Sequence, residues 1–127
     1  MKFNFLFSLA IFCCVAFVFS ACNKEHDNEK PVIHLQRPVN GDSVVIGAMV
    51  YLQGSVTDND AVHNIAYEIR TVASDSLIRT FSEHYHEKSG SFSDSFLMPS
   101  GDVKIHIEAE DHAENESELE VKVFGKK

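Results

Sequence analysis

The chain has 127 residues, a formal net charge of −8, 44% hydrophobic residues and no tryptophan. That length accommodates one domain near the usual size. The acidic balance excludes a nucleic-acid binder, which needs a basic stripe, and suits cations or neutral ligands instead.

The chain opens with Lys2, an apolar run from Phe5 to Phe19 and the small-residue exit Ser20-Ala21 before Cys22. A short positive start, an apolar stretch and a small exit form a secretory signal pattern. The run is shorter than the roughly 20 apolar residues of a membrane span. Residues 1–21 are therefore expected to be a signal helix that is removed. Their loss takes away one positive charge, Lys2, and moves the net charge from −8 to −9. Cys13 and Cys14 fall inside this run, so Cys22 is the one cysteine that remains, and no disulfide framework can form.

The exit Phe19-Ser20-Ala21-Cys22 resembles the lipobox of bacterial lipoproteins, with Phe in place of the usual Leu. The resemblance implies that Cys22 becomes the first mature residue and carries the lipid that holds the chain to the membrane. Each buried methylene contributes about 0.8 kcal/mol, so two or three acyl chains anchor stably. Asn23 to Lys30 contains no apolar residue, and such a stretch cannot bury enough surface to order itself. Residues 22–30 are thus expected to be a flexible tether. Its acidic residues, interrupted by Lys24 and His26, loosely resemble the export signal of surface-displayed lipoproteins in Bacteroidetes-type bacteria. That implies an outer-membrane address with surface exposure; a plain solvated linker is the alternative.

From Pro31 the apolar period is two. Val50, Leu52, Gly54 and Val56 share one parity, as do Ile65, Tyr67 and Ile69. Val103-Lys104-Ile105-His106-Ile107-Glu108-Ala109-Glu110 alternates without a break, and Leu119 to Val123 repeats it. Alternation at this period marks half-buried strands. Turn-favouring clusters fall between the runs, at Asn40-Gly41-Asp42, Asp58-Asn59-Asp60, Ser74-Asp75-Ser76, Lys88-Ser89-Gly90, Pro99 to Asp102 and Glu114-Asn115-Glu116. Strands are predicted near 31–37, 44–57, 62–73, 77–83, 91–98, 102–111 and 117–124. Seven short antiparallel strands over 31–127 make an all-β, immunoglobulin-like sandwich. Asp94 shares parity with Phe92 and Phe96, which marks either a bulge or a wet sheet edge.

Pro31-Val32-Ile33, Pro38-Val39-Asn40-Gly41, the Gly54–Asp60 stretch and Ala109 to Asn115 together resemble bacterial Ig-like domains. These often open with a Pro-x-Ile strand and close with an Ala-x-Asp-x-x-Gly-Asn loop; Glu114 stands where that Gly is expected. The chain is also similar to single-domain Ig-like lipoproteins of Bacteroidetes-type bacteria. The resemblance implies the fold and leaves function open.

In such a sandwich alternate loops gather at one end. The loops at 58–63, 83–88 and 111–115 should share a rim, bringing together Asp58, Asp60, His63, Glu83, His84, His86, Asp111, His112 and Asn115. Four of the seven histidines are in this set. If His84-Tyr85-His86 is extended, both imidazoles point to one side. With a carboxylate from Asp58, Asp60 or Asp111 they could complete a zinc-like tetrahedral shell. Asp58, Asn59, Asp60 and Asp111 also offer oxygens for calcium, although Asp and Asn dominate turns for local reasons. His34 and His106, on polar strand faces, read as surface residues. The sequence has no nucleophile elbow, no phosphate-cradling Gly loop and no second mature cysteine, so no enzyme class is supported. The function expected is a lipid-anchored envelope module that contacts a protein or glycan without catalysis. A metal-binding lipoprotein using the rim His/Asp cluster is the alternative, and a structural spacer the third.

Overall fold

The alternating runs fold into eight strands and no helix in a computed structural model that describes residues 26–127. The expected signal helix, the lipidation site Cys22 and the first tether residues lie outside the described residues. The strands are β1 (Val32–Arg37), β2 (Ser43–Val45), β3 (Met49–Thr57), β4 (Val62–Thr71), β5 (Leu77–His84), β6 (Ser89–Leu97), β7 (Val103–Asp111) and β8 (Glu116–Lys126). They form a three-stranded sheet in the order β1-β3-β6 and a five-stranded sheet in the order β2-β8-β7-β4-β5. This is a β-sandwich.

The inner faces supply the core. Val50, Leu52 and Val56 of β3 and Phe92 and Phe96 of β6 meet Ile65, Tyr67 and Ile69 of β4, Val103 to Ala109 of β7 at alternate positions, and Val121 and Val123 of β8. Leu52, Ile65, Ile69, Ile105 and Ile107 are completely buried. Gly54 belongs to the same face. A Cβ there would press into the Phe92 ring and lie 2.8 Å from the His34 carbonyl oxygen. The absence of a side chain lets β1 and Phe92 close over β3.

One predicted strand is two. The run expected to be continuous over 44–57 breaks at Gly47, whose φ of 84° a side chain would disfavour. Gly47 donates its N–H to Met98 and Ala48 donates to Val45. Upstream of this break β2 leaves the three-stranded sheet and pairs with β8 in parallel, Ser43 opposite Phe124. The sandwich is therefore antiparallel except at this edge. The strand-switching residues also join the two sheets, since Ile46 donates its N–H to Lys126 on the five-stranded side and Gly47 to Met98 on the three-stranded side.

A second irregularity lies beside the rim. Along the β4–β7 ladder Val62 faces Asp111 and Asn64 faces Glu110, which leaves His63 as an extra, unpaired residue. A bulge of this kind re-aims a side chain without ending the strand. Val62 and Ile65 stay buried while His63 turns toward the loops. Asp94 shows no bulge: the β3–β6 register runs unbroken from Met49 opposite Leu97 to Thr57 opposite Ser89. Asp94 is instead half-buried on the edge strand and accepts the Tyr67 hydroxyl at 2.9 Å.

Candidate functional site

Three connections meet at one end of the sandwich: 58–61 between β3 and β4, 85–88 between β5 and β6, and 112–115 between β7 and β8. Backbone bonds tie them together. Asp58 donates its N–H to Lys88, Val62 to Glu87, Tyr85 to His63 and His112 to Ala61. The expected rim thus gathers all three loops, and β1 begins at the same end, with Val32 opposite Thr57. The opposite pole carries the turns at 46–48, 72–76 and 98–102.

The rim sorts its side chains into two chemically distinct groups. The first is made of imidazoles. The His63 ring lies 5.1 Å from His84 and 4.7 Å from His112, centroid to centroid. His112 lies 5.3 Å from His86 with ring planes 19° apart. His86 Nδ1 and His112 Nε2 are 3.3 Å apart. His84 and His86 therefore meet through His63 and His112 rather than side by side, because β5 ends at His84 and the next residues leave the ladder. The Nδ1 of His63 is buried with no hydrogen-bond partner.

The second group is made of carboxylates. Asp27, Asp58 and Asp111 each offer an oxygen within 4.8 Å of the others. Asp111 is only 1% exposed and organises the β7–β8 turn: its Oδ1 accepts the N–H groups of Ala113 (2.7 Å) and Asn115 (2.8 Å), and its Oδ2 accepts the Asn115 amide (2.7 Å). Asp58 uses Oδ1 to accept the Asp60 N–H at 2.9 Å. Its Oδ2 and the Oδ2 of Asp27 are buried without any partner. Asp27 belongs to the stretch read as tether, yet it is fastened to the rim. Its Oδ1 accepts the Asn59 amide and the Glu29 N–H, both at 3.0 Å, and its carbonyl accepts the Asn115 amide at 3.1 Å. The Asn59 amide above all, then the Glu29 N–H, holds the Asp27 carboxyl below the usual carboxylate range.

The expected mixed His/Asp shell is thus divided. Asp58 and Asp111 join Asp27 rather than His84 and His86. Asp60 is exposed and belongs to neither group. Among the described residues one further set brings three ligand atoms within 4.8 Å, His106, Glu108 and Glu118 on the outer face of the five-stranded sheet. There His106 is a half-buried strand residue whose Nε2 lies 2.9 Å from Glu108 Oε1. Asp27 was missed because a polar stretch ahead of the first strand carries no periodic signal. The pairing of Asn59 and Asn115, each at a turn facing it, could have pointed there.

No protein family and no curated protein matches the chain in sequence. Solved structures do match in shape. The fibronectin(III)-like modules of CbhA from Clostridium thermocellum superpose with a TM-score of 0.52 at 17% identity, covering 76% of this chain and 47% of that one. OgpA from Akkermansia muciniphila superposes with a TM-score of 0.51 at 16% identity, covering 80% of this chain and 30% of that one. The chain spans half or less of the length of these proteins. At such identities the likeness establishes an Ig-like or fibronectin-like sandwich and nothing finer.

Proposed function

We propose that the chain is a lipid-anchored, non-catalytic module of the bacterial envelope, clamped to its own tether by a hard divalent cation of the calcium class. The observation that carries this reading is the meeting of Asp27, Asp58 and Asp111, two of them with buried, unpartnered oxygens. Among the described residues, no lysine or arginine forms an ion pair with any of the three. Carboxylates so close repel one another, and a cation removes the repulsion. Calcium takes six to eight oxygens at about 2.3–2.6 Å, including backbone carbonyls and water. Carboxylates and loop carbonyls are that type of donor.

The clamp has a consequence for display. Asp27 stands five positions after Cys22, a reach of at most ~18 Å at roughly 3.6 Å per residue. With Cys22 acylated, the rim would face the membrane and the opposite pole would point away. Among the described residues, the exposed hydrophobics Val45, Ile46, Met49, Val72, Leu77, Leu97 and Phe124 lie at or beside that far pole. Aliphatic surface of this kind suits a protein more than a glycan, which favours an envelope protein as the contact.

Calcium titration of the full chain in detergent, followed by thermal unfolding, tests the clamp. The midpoint should rise with calcium, and Asp27→Asn with Asp58→Asn should abolish the rise. Stabilisation grows as RT ln(1 + [L]/Kd), about 2.7 kcal/mol at a hundred times Kd. An unchanged midpoint at millimolar calcium would sink the reading. For the anchor, Cys22→Ser should move the protein to the soluble fraction; retention in membranes would contradict it.

A further inference from the structure

We infer that His63, His84, His86 and His112 form a second metal site, specific for a borderline transition cation of the zinc, nickel or copper class. It goes beyond the carboxylate clamp and uses none of its residues.

Three separate features of the chain converge on these imidazoles. The β4 bulge exists at His63 and turns its ring out of the ladder toward His84 and His112. The His63 Nδ1 then sits buried with nothing to bond. A buried polar atom without a partner is rare, and an absent ion is one of its standard explanations. The third feature is a distance. Two Zn–N bonds of about 2.0–2.1 Å at a tetrahedral angle place their nitrogens about 3.4 Å apart. The His86 Nδ1 and His112 Nε2 atoms are 3.3 Å apart. That is long for a hydrogen bond, whose N–H···O counterpart centres near 2.9–3.0 Å, and close to the edge of a zinc tetrahedron.

Ligand type separates this site from its neighbour. Neutral imidazole suits zinc, copper and nickel, whereas calcium and magnesium demand oxygen. Asp58 and Asp111 direct their oxygens toward Asp27 and the β7–β8 turn, and Glu83, beside His84, accepts the Tyr85 hydroxyl at 3.0 Å. The ligands assigned to this site are all nitrogen. His84, His86 and His112 are exposed side chains, free to swing by rotamer changes on the picosecond-to-nanosecond scale. As they stand, no three of the four imidazoles bring ring nitrogens within 4.8 Å of one another, so the shell closes around the half-buried His63 by such movement. The acidic balance of the chain raises the local concentration of any cation.

Zinc titration of the full chain in detergent tests this, with calcium both present and absent. Wild type should take up one zinc per chain. His86→Gln with His112→Gln should weaken it at least a hundredfold, while the calcium response stays. Asp27→Asn with Asp58→Asn should do the reverse. Cobalt(II) in place of zinc should give the intense visible d–d absorption of a tetrahedral site, lost in the histidine variant. Zinc affinity unchanged in that variant, zinc displaced by millimolar calcium, or a weak octahedral cobalt spectrum would each overturn the assignment. Failure of the calcium clamp alone would leave the zinc result standing, so the two proposals fail separately.

Discussion

Replacing Asp111 by alanine should be the most damaging single change on the rim. The side chain is 1% exposed and accepts three hydrogen bonds, at 2.7, 2.8 and 2.7 Å, from Ala113, Asn115 and the Asn115 amide. Hydrogen bonds to a charged group contribute about 1.5–3 kcal/mol each. Alanine loses all three, and the half-exposed turn regains some water, so the net cost should be about 3–5 kcal/mol. A domain of this size has roughly 5–15 kcal/mol in total, and each kcal/mol shifts its midpoint by about 4–8 °C. Urea unfolding of a chain starting at Asn23, followed by circular dichroism with a chelator present, reads this without any cation contribution. Asp111→Asn keeps an acceptor for the two N–H groups and should cost about half as much. Asp60→Ala, an exposed change with no side-chain bond to lose, should stay within about 0.5 kcal/mol. A cost below 1 kcal/mol for Asp111→Ala would refute the view that this carboxylate builds the turn.

Gly54→Ala should destabilise by about 1–3 kcal/mol, because the added methyl meets Phe92 and the His34 carbonyl; urea midpoints would reveal a neutral change and with it a looser core. Glu118→Lys should stabilise by about 0.2–1 kcal/mol, since Glu118 lies directly opposite Glu108 across β7 and β8; high salt should shrink the gain. Burial, and then the bond it donates to Asp94, pushes the Tyr67 hydroxyl well above its ordinary range near pH 10, and burial, then the bond to Glu83, raises Tyr85 as well. The fold holds the neutral form, so this contribution is complete below about pH 10 and is lost as pH rises beyond it. Alkaline titration by ultraviolet absorbance should show these two tyrosines ionising late, together with unfolding; early ionisation of all three would contradict it.

The period-two alternation by itself determined the core-facing parity of the runs at 50–56, 65–69, 103–110 and 119–123, and turn spacing marked the strands between them. It could do so because alternate side chains of an extended chain point to opposite sides, whatever the strand pairs with. Order along the chain then placed the loops at 58–61, 85–88 and 112–115 on one rim. Other features depended on contacts distant in sequence. Gly47 ends a run whose apolar pattern continues, and only the parallel edge of β8 gives β2 its place. His63 leaves its ladder because Val62 and Asp111 must face each other. Asp27 has no periodic neighbour, yet it meets Asp111 from 84 positions away. Tertiary structure alone decided that Asp58 and Asp111 would join Asp27 and leave the histidines to one another. The physical reason is range: backbone alternation is fixed within a few residues, whereas the meeting of ligand atoms at 4.8 Å sums every strand direction and turn between them.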